Sequence, residues 1–139
     1  MNHRKFGLAI AIVGVAAVAI GAFGAHGLKS VLPPDRMQTY QTGVTYHFYH
    51  LLAACIAYIL IVLSSSTWAV RAFWMFLLGI LFFSGSIYGL ACRDIIGLSS
   101  WKWLGPITPI GGVLFILGWI FLGVAVFELG EGRAANDDI

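Results

Sequence analysis

Four stretches without a single Asp, Glu, Lys or Arg limit what this chain can fold into: Phe6–Ala25, Val44–Leu63, Ala72–Cys92 and Leu104–Phe127. Each holds 20 to 24 residues. A helix rises about 1.5 Å per residue, so about 20 apolar residues carry it across a hydrocarbon core roughly 30 Å thick. In lipid only helices and closed barrels satisfy every backbone hydrogen bond, and apolar runs of this length read as helices. The expected fold is all-α, an integral membrane four-helix bundle of up-down topology.

Composition closes the soluble alternative. Charged residues make up 10% and apolar residues 60% of the chain, whereas a soluble domain usually carries about 25% charged residues. Four spans leave no room for a separate soluble domain. The reading is one transmembrane domain over residues 1–127 and a polar, frayed C-terminal tail over residues 128–139. A net charge of +2 argues against nucleic acid as a partner, as does the lack of any basic run interleaved with aromatics. The first stretch exceeds a secretory signal core of about 7–15 residues and reads as a retained helix. Cys55 lies roughly 16 Å deeper than the helix end that carries Cys92, beyond disulfide reach, so both read as small buried side chains.

Local signals refine the spans. Gly7, Gly14 and Gly21 recur every seven residues, with Ala11 and Ala25 on the same stripe. Small residues let helix backbones approach closely in lipid, either within the bundle or at a dimer seam. Gly27 suits a C-terminal cap. Pro33-Pro34-Asp35 predicts a second helix from about Arg36 to Leu63 with Asp35 as its N-cap, its first turns forming an interfacial extension. Gly85 and Gly89 form a GxxxG packing signal in the third span. Thr108 as N-cap and Pro109 as first helical residue start the fourth helix. Lys and Arg divide evenly between the two sides. Arg4 and Lys5 ahead of the first span favour both termini in the cytoplasm, with the chain in a bacterial inner (plasma) membrane.

Up-down weaving gathers the polar side chains at one end of the bundle. His26, Tyr46, His47, His50, Ser84, Ser86, Tyr88 and Thr108 form the candidate polar cluster or ligand-binding site. His50 and Ser86 each lie about 9–10 Å inside their boundaries, at similar depth. His47 and His50 share a helix face at i, i+3 spacing. With His26 they could hold a metal ion or haem, or relay protons. With the hydroxyls they could line a lipid or quinone head-group pocket between helices one, two and three. The simplest alternative is hydrogen bonding between helices and to backbone freed near Pro106 and Pro109.

The spans contain no paired carboxylate and no HExxH, and a Ser-His-Asp set would need Asp35 or Asp94 to reach in from a loop. No catalytic residue, metal ligand or cofactor is assigned. The expected role is a non-enzymatic structural or accessory subunit. The alternatives are a lipid- or quinone-binding protein and a haem- or metal-binding redox protein. Expected partners are the bilayer and either a membrane-protein complex or a second copy of the chain.

Several segments together resemble one family. They are Gly21-Ala22-Phe23-Gly24-Ala25-His26-Gly27-Leu28, Thr42-Gly43-Val44-Thr45-Tyr46-His47 with His50, Phe83-Ser84-Gly85-Ser86-Ile87-Tyr88, and Thr108-Pro109-Ile110-Gly111-Gly112 followed by Gly118-Trp119. In this order they resemble the uncharacterised membrane family called domain of unknown function 423, which includes YgdD-like and transmembrane-256-like proteins. The resemblance implies a four-span helical protein and no established activity. Its motif positions fall on His26, Tyr46, His50, Ser84, Ser86, Tyr88, Thr108 and Pro109. It does not call for histidine at position 47, which weighs against a tri-histidine metal site.

Overall fold

The computed structural model describes residues 3–97 and 100–137. Every regular element among them is helical. Helix α1 (His3–Phe23) runs on through a π turn, Gly24–Leu28. Helix α2 is continuous over Pro34–Ser64. Helix α3 (Thr67–Gly79), a π turn (Ile80–Ser84) and α4 (Gly85–Cys92) form one unbroken rod. A 3-10 turn, Trp101–Leu104, leads into α5, Ile107–Asp137. Four spans are long and apolar enough to cross a membrane: His3–Leu28, Pro34–Ser64, Thr67–Cys92 and Ile107–Glu131. This is a four-span helical membrane protein.

Several boundaries differ from expectation for local reasons. Helix α2 opens with Pro34 at its first position, and Asp35 sits in the first turn without capping it. There its carboxylate complements the helix dipole. Gly27 continues the π turn instead of ending the helix. Among the described glycines only Gly97 has positive φ. Thr108 lies one residue inside α5, and its hydroxyl bonds Ser86 rather than its own helix end. The tail expected to fray is helical to Asp137, because residues such as Glu128, Leu129 and Glu131 favour helix over coil.

The tight link between α2 and α3 is built from three serines. Ser65 turns the chain with φ 52°, and the Ser66 hydroxyl accepts from the Ala69 amide at 3.5 Å. That hydroxyl also donates to Glu128 Oε2 of α5 at 2.7 Å, which sets a carboxylate at the positive end of α3.

Contacts along α1 fix its direction. Gly7 faces Tyr58, Gly14 faces Leu51 and Gly21 faces Val44, so α1 and α2 are antiparallel. The glycine stripe is therefore a seam inside the molecule. A Cβ at these three positions would rest 3.5–3.7 Å from its nearest neighbour, an ordinary contact. Ala11 and Ala25 are exposed, and Ala25 lines a cleft with Tyr40, Gln41 and Val44 of α2. Helix α1 packs along α2 and does not approach α5. It reaches α3 through Phe6, edge-on to Phe73 at 5.0 Å.

The other three spans form the core, where Phe73, Phe76 and Ile61 are fully buried. Lipid tails are as apolar as leucine, so close packing must hold these helices together. Glycines supply it. Phe115 of α5 lies over Gly79 of α3, and Phe76 of α3 lies over Gly118 of α5. Gly111 presses directly on the Phe83 backbone in the second π turn. Of the expected GxxxG pair, Gly89 lies under Leu104, whereas Gly85 is exposed and a Cβ there would meet nothing within 4 Å.

Candidate functional site

The polar end divides into three separate groups. Three residues turn an α-helix by about 300°, so the rings at positions 47 and 50 diverge by about 60°. His47 turns toward α4, where its Nδ1 lies 3.2 Å from the Tyr88 hydroxyl. Its Nε2 is buried without a partner in bonding geometry, and the Val13 backbone of α1 borders the ring. Ser84 is fully buried one turn before Tyr88 and also lacks a partner in bonding geometry. The Tyr88 ring packs against Tyr40 at 5.1 Å, and the Tyr40 hydroxyl donates to the Ile20 carbonyl of α1 at 2.8 Å. This group ties α1, α2 and α4 together.

The second group is a hydroxyl bridge. Ser86 Oγ lies 2.7 Å from Thr108 Oγ1 and donates to the Phe83 carbonyl at 2.9 Å, so the Thr108 hydroxyl is the donor between the two. The bridge fastens the second π turn to the start of α5. Interhelical side-chain bonds in membranes average about 0.6 kcal/mol in double-mutant cycles. A cycle of Ser86→Ala and Thr108→Val in detergent should return a coupling of roughly that size. Purely additive effects would mean that the two hydroxyls do not hold the helices.

The third group surrounds His50, which is 6% exposed. Its Nδ1 lies 2.8 Å from the Tyr46 carbonyl of the preceding turn. Its ring stacks on Phe115 of α5 at 3.4 Å between centroids and 10° between planes. Tyr46 stacks on Phe83 at 4.7 Å and 25°. Trp119 stands edge-on to His50 at 6.3 Å.

These rings border two adjoining cavities of about 400 and 440 Å³, which share Tyr46, His50 and Trp119 as a common wall. Tyr49 and Leu52 close one side; Pro109, Val113 and Ile116 close the other. The groove opens sideways between α2 and α5 among exposed apolar side chains such as Leu52, Ile116 and Ile120. In a bilayer that opening faces lipid. The expectation of a pocket among the first three spans has its own counterparts, a cleft between α1 and α2 beside Gly24, Tyr40 and Val44 and another between the first and third loops beside Arg36 and Asp94. The groove at His50 lies instead between α2 and α5, with Phe83 behind it.

His26 joins none of these groups and is exposed on the first π turn. Among the described residues, no three His, Cys, Asp or Glu side chains gather as metal ligands. Cys55 and Cys92 are free and half-buried.

A family model described as "Protein of unknown function (DUF423)" matches residues 20–112. The chain belongs to that family. Among its relatives, the UPF0382 membrane protein YwdK of Bacillus subtilis is 42% identical over 119 residues, covering 85% of this chain and 92% of the relative. The UPF0382 membrane protein SAB0533 of Staphylococcus aureus is 42% identical over 121 residues, covering 85% and 91%. No solved structure matches this chain.

The part of the chain matched by DUF423 contains Tyr46, His50 and Phe83 of the groove; Phe115 and Trp119 lie beyond it. Sequence reasoning left Phe83, Phe115 and Trp119 off the candidate site. Phe115 is apolar in an apolar span and carries no local mark; Phe83 opens the Phe83-Ser84-Gly85-Ser86-Ile87-Tyr88 segment but, being apolar, does not stand out as a site residue. For Trp119 there was a signal, the Gly118-Trp119 pair at membrane depth, where a tryptophan is out of place beside the interfacial belt.

Proposed function

We propose that this DUF423 protein is a non-enzymatic membrane protein that holds a small lipid-soluble molecule in the groove between α2 and α5. One observation carries the reading: a buried histidine, pinned through Nδ1 and stacked on Phe115, forms the polar floor of an otherwise aromatic, lipid-facing groove. Ionisable side chains at membrane depth are costly and mark function by default. Cavities of roughly 300–1,000 Å³ with apolar walls and few polar groups suit small ligands. The ligand would arrive laterally from the bilayer.

The accessory-subunit reading draws on the outer face of α1, where Leu8, Ile12, Val15 and Val18 are all exposed. Lipid alone covers such a face, so the groove supports its own reading more strongly. We place the chain in a bacterial plasma membrane with both termini cytoplasmic, following Arg4 and Lys5 ahead of α1.

Native mass spectrometry after gentle extraction tests the binding function. The wild-type protein should retain a small lipid-soluble mass in stoichiometric amount. Val113→Trp, an exposed groove position on α5, should lose that mass while melting at the wild-type temperature. A wild-type protein free of any small molecule, or a variant that keeps its cargo, would count against the groove.

A further inference from the structure

The hydrogen-bonding polarity of His50 narrows what the groove accepts. The Tyr46 carbonyl can only accept a hydrogen bond, so the 2.8 Å contact places the imidazole proton on Nδ1. A neutral imidazole carries one N–H, which leaves Nε2 as a bare acceptor. A second proton would put a cation among Phe76, Phe115 and Trp119. The uncharged stretches around it hold no carboxylate to neutralise it, and an unpaired charge at this depth is disfavoured. Among the described residues the hydrogen bond of the His50 ring is the Nδ1 contact to Tyr46, and His50 borders both cavities. A molecule in the groove therefore meets an acceptor that needs a donor.

The walls select shape. His50 on Phe115 and Tyr46 on Phe83 are two near-parallel ring pairs, and the His50 and Tyr46 rings lie 5.7 Å apart at 25°. Tyr46, Phe83 and Trp119 also line the groove, and aromatic rings prefer offset-stacked or edge-on partners, so a flat ring suits these walls. Apolar side chains along α2 and α5 can carry a hydrocarbon chain outward into lipid.

Resting on the binding function proposed above, we propose that the groove binds an amphiphile whose flat ring donates a hydroxyl to His50 Nε2, the chemistry of a reduced quinone. The oxidised form presents a carbonyl oxygen instead. Two acceptors would then face each other, and the histidine nitrogen would stay desolvated and unpaired. The site thus discriminates by oxidation state without itself transferring electrons.

The test uses the full chain in lipid nanodiscs under anaerobic, reducing conditions. Four probes are titrated: decylhydroquinone, its dimethyl ether, the corresponding decylbenzoquinone held oxidised in a separate cell, and 1,2-dioctanoylglycerol. Binding is read by native mass spectrometry, and the 15N shift of His50 Nε2 reports the hydrogen bond. The hydroquinone should bind about tenfold more tightly than the ether or the quinone, the worth of one hydrogen bond in a dry site. It should also shift Nε2 alone. His50→Phe, which keeps a flat ring, should erase the preference.

Equal binding of the three aromatic probes would overturn the hydroxyl inference while leaving the groove function standing. Tighter binding of the glycerol lipid would overturn the flat-ring ligand. Binding by none of the four would overturn both this inference and the binding function. The comparison among probes uses wild-type protein, so it holds whether or not the His50 variant folds.

Discussion

Gly111→Ala is expected to destabilise the protein by about 3 kcal/mol, the upper end of the range for overpacking a close-fitted site. A Cβ built there would lie 2.3 Å from the Phe83 amide nitrogen and 2.7 Å from its Cα. Those are backbone atoms in the middle of the third span, so no side-chain rotation relieves the clash. Either α5 moves away or the π turn is rebuilt. Moving α5 would also loosen the Ser86–Thr108 bridge and the Phe115–Gly79 contact. Gly123→Ala is the control, because it lies on the same helix and its new methyl would meet nothing within 4 Å. It should stay within about 0.5 kcal/mol of wild type, as surface substitutions do. Thermal unfolding in a mild detergent reads both. Equal melting temperatures for the two variants would show that α5 does not rest on the Phe83 backbone.

Phe115→Ala should cost about 3 kcal/mol, at the lower end of large-to-small core changes. In lipid a phenylalanine gains little from leaving its surroundings, so the loss comes from the cavity and its missing dispersion contacts. Phe115 stacks on His50, packs against Phe83 at 5.4 Å and lies over Gly79. Removing its ring uncovers all three and takes the floor from beneath His50. Reversible unfolding in mixed micelles measures the change, and Phe115→Leu should recover about half of it. A loss under about 1 kcal/mol would mean that α2, α3 and α5 do not share this ring as a packing centre.

Much of the architecture is written in one dimension. Uncharged runs of 20 to 24 residues cannot be soluble and cannot stop halfway across a bilayer. Pro33 and Pro34 place the start of α2, because proline fits only the first turn of a helix. The Gly7, Gly14 and Gly21 stripe marks the face of α1 that meets α2. The motifs shared with DUF423 single out Tyr46 and His50, both of which line the groove. The same motifs and its depth also single out His26, which is exposed on the first π turn and does not line the groove.

The remainder depends on helix rotation and helix choice. Span lengths and order are local properties, so the sequence by itself determined a four-span helical membrane protein and the end at which its polar side chains collect. Which helices touch is a property of pairs, set by where glycines let backbones close. Gly79, Gly111 and Gly118 look like any other small residues until Phe115, Phe83 and Phe76 are brought onto them. Two π turns then shift the angular register of the first and third spans, which no 3.6-residue periodicity predicts. Only the tertiary structure could therefore decide that His47 turns toward Tyr88, that His50 turns toward Phe115, and that the groove lies between α2 and α5.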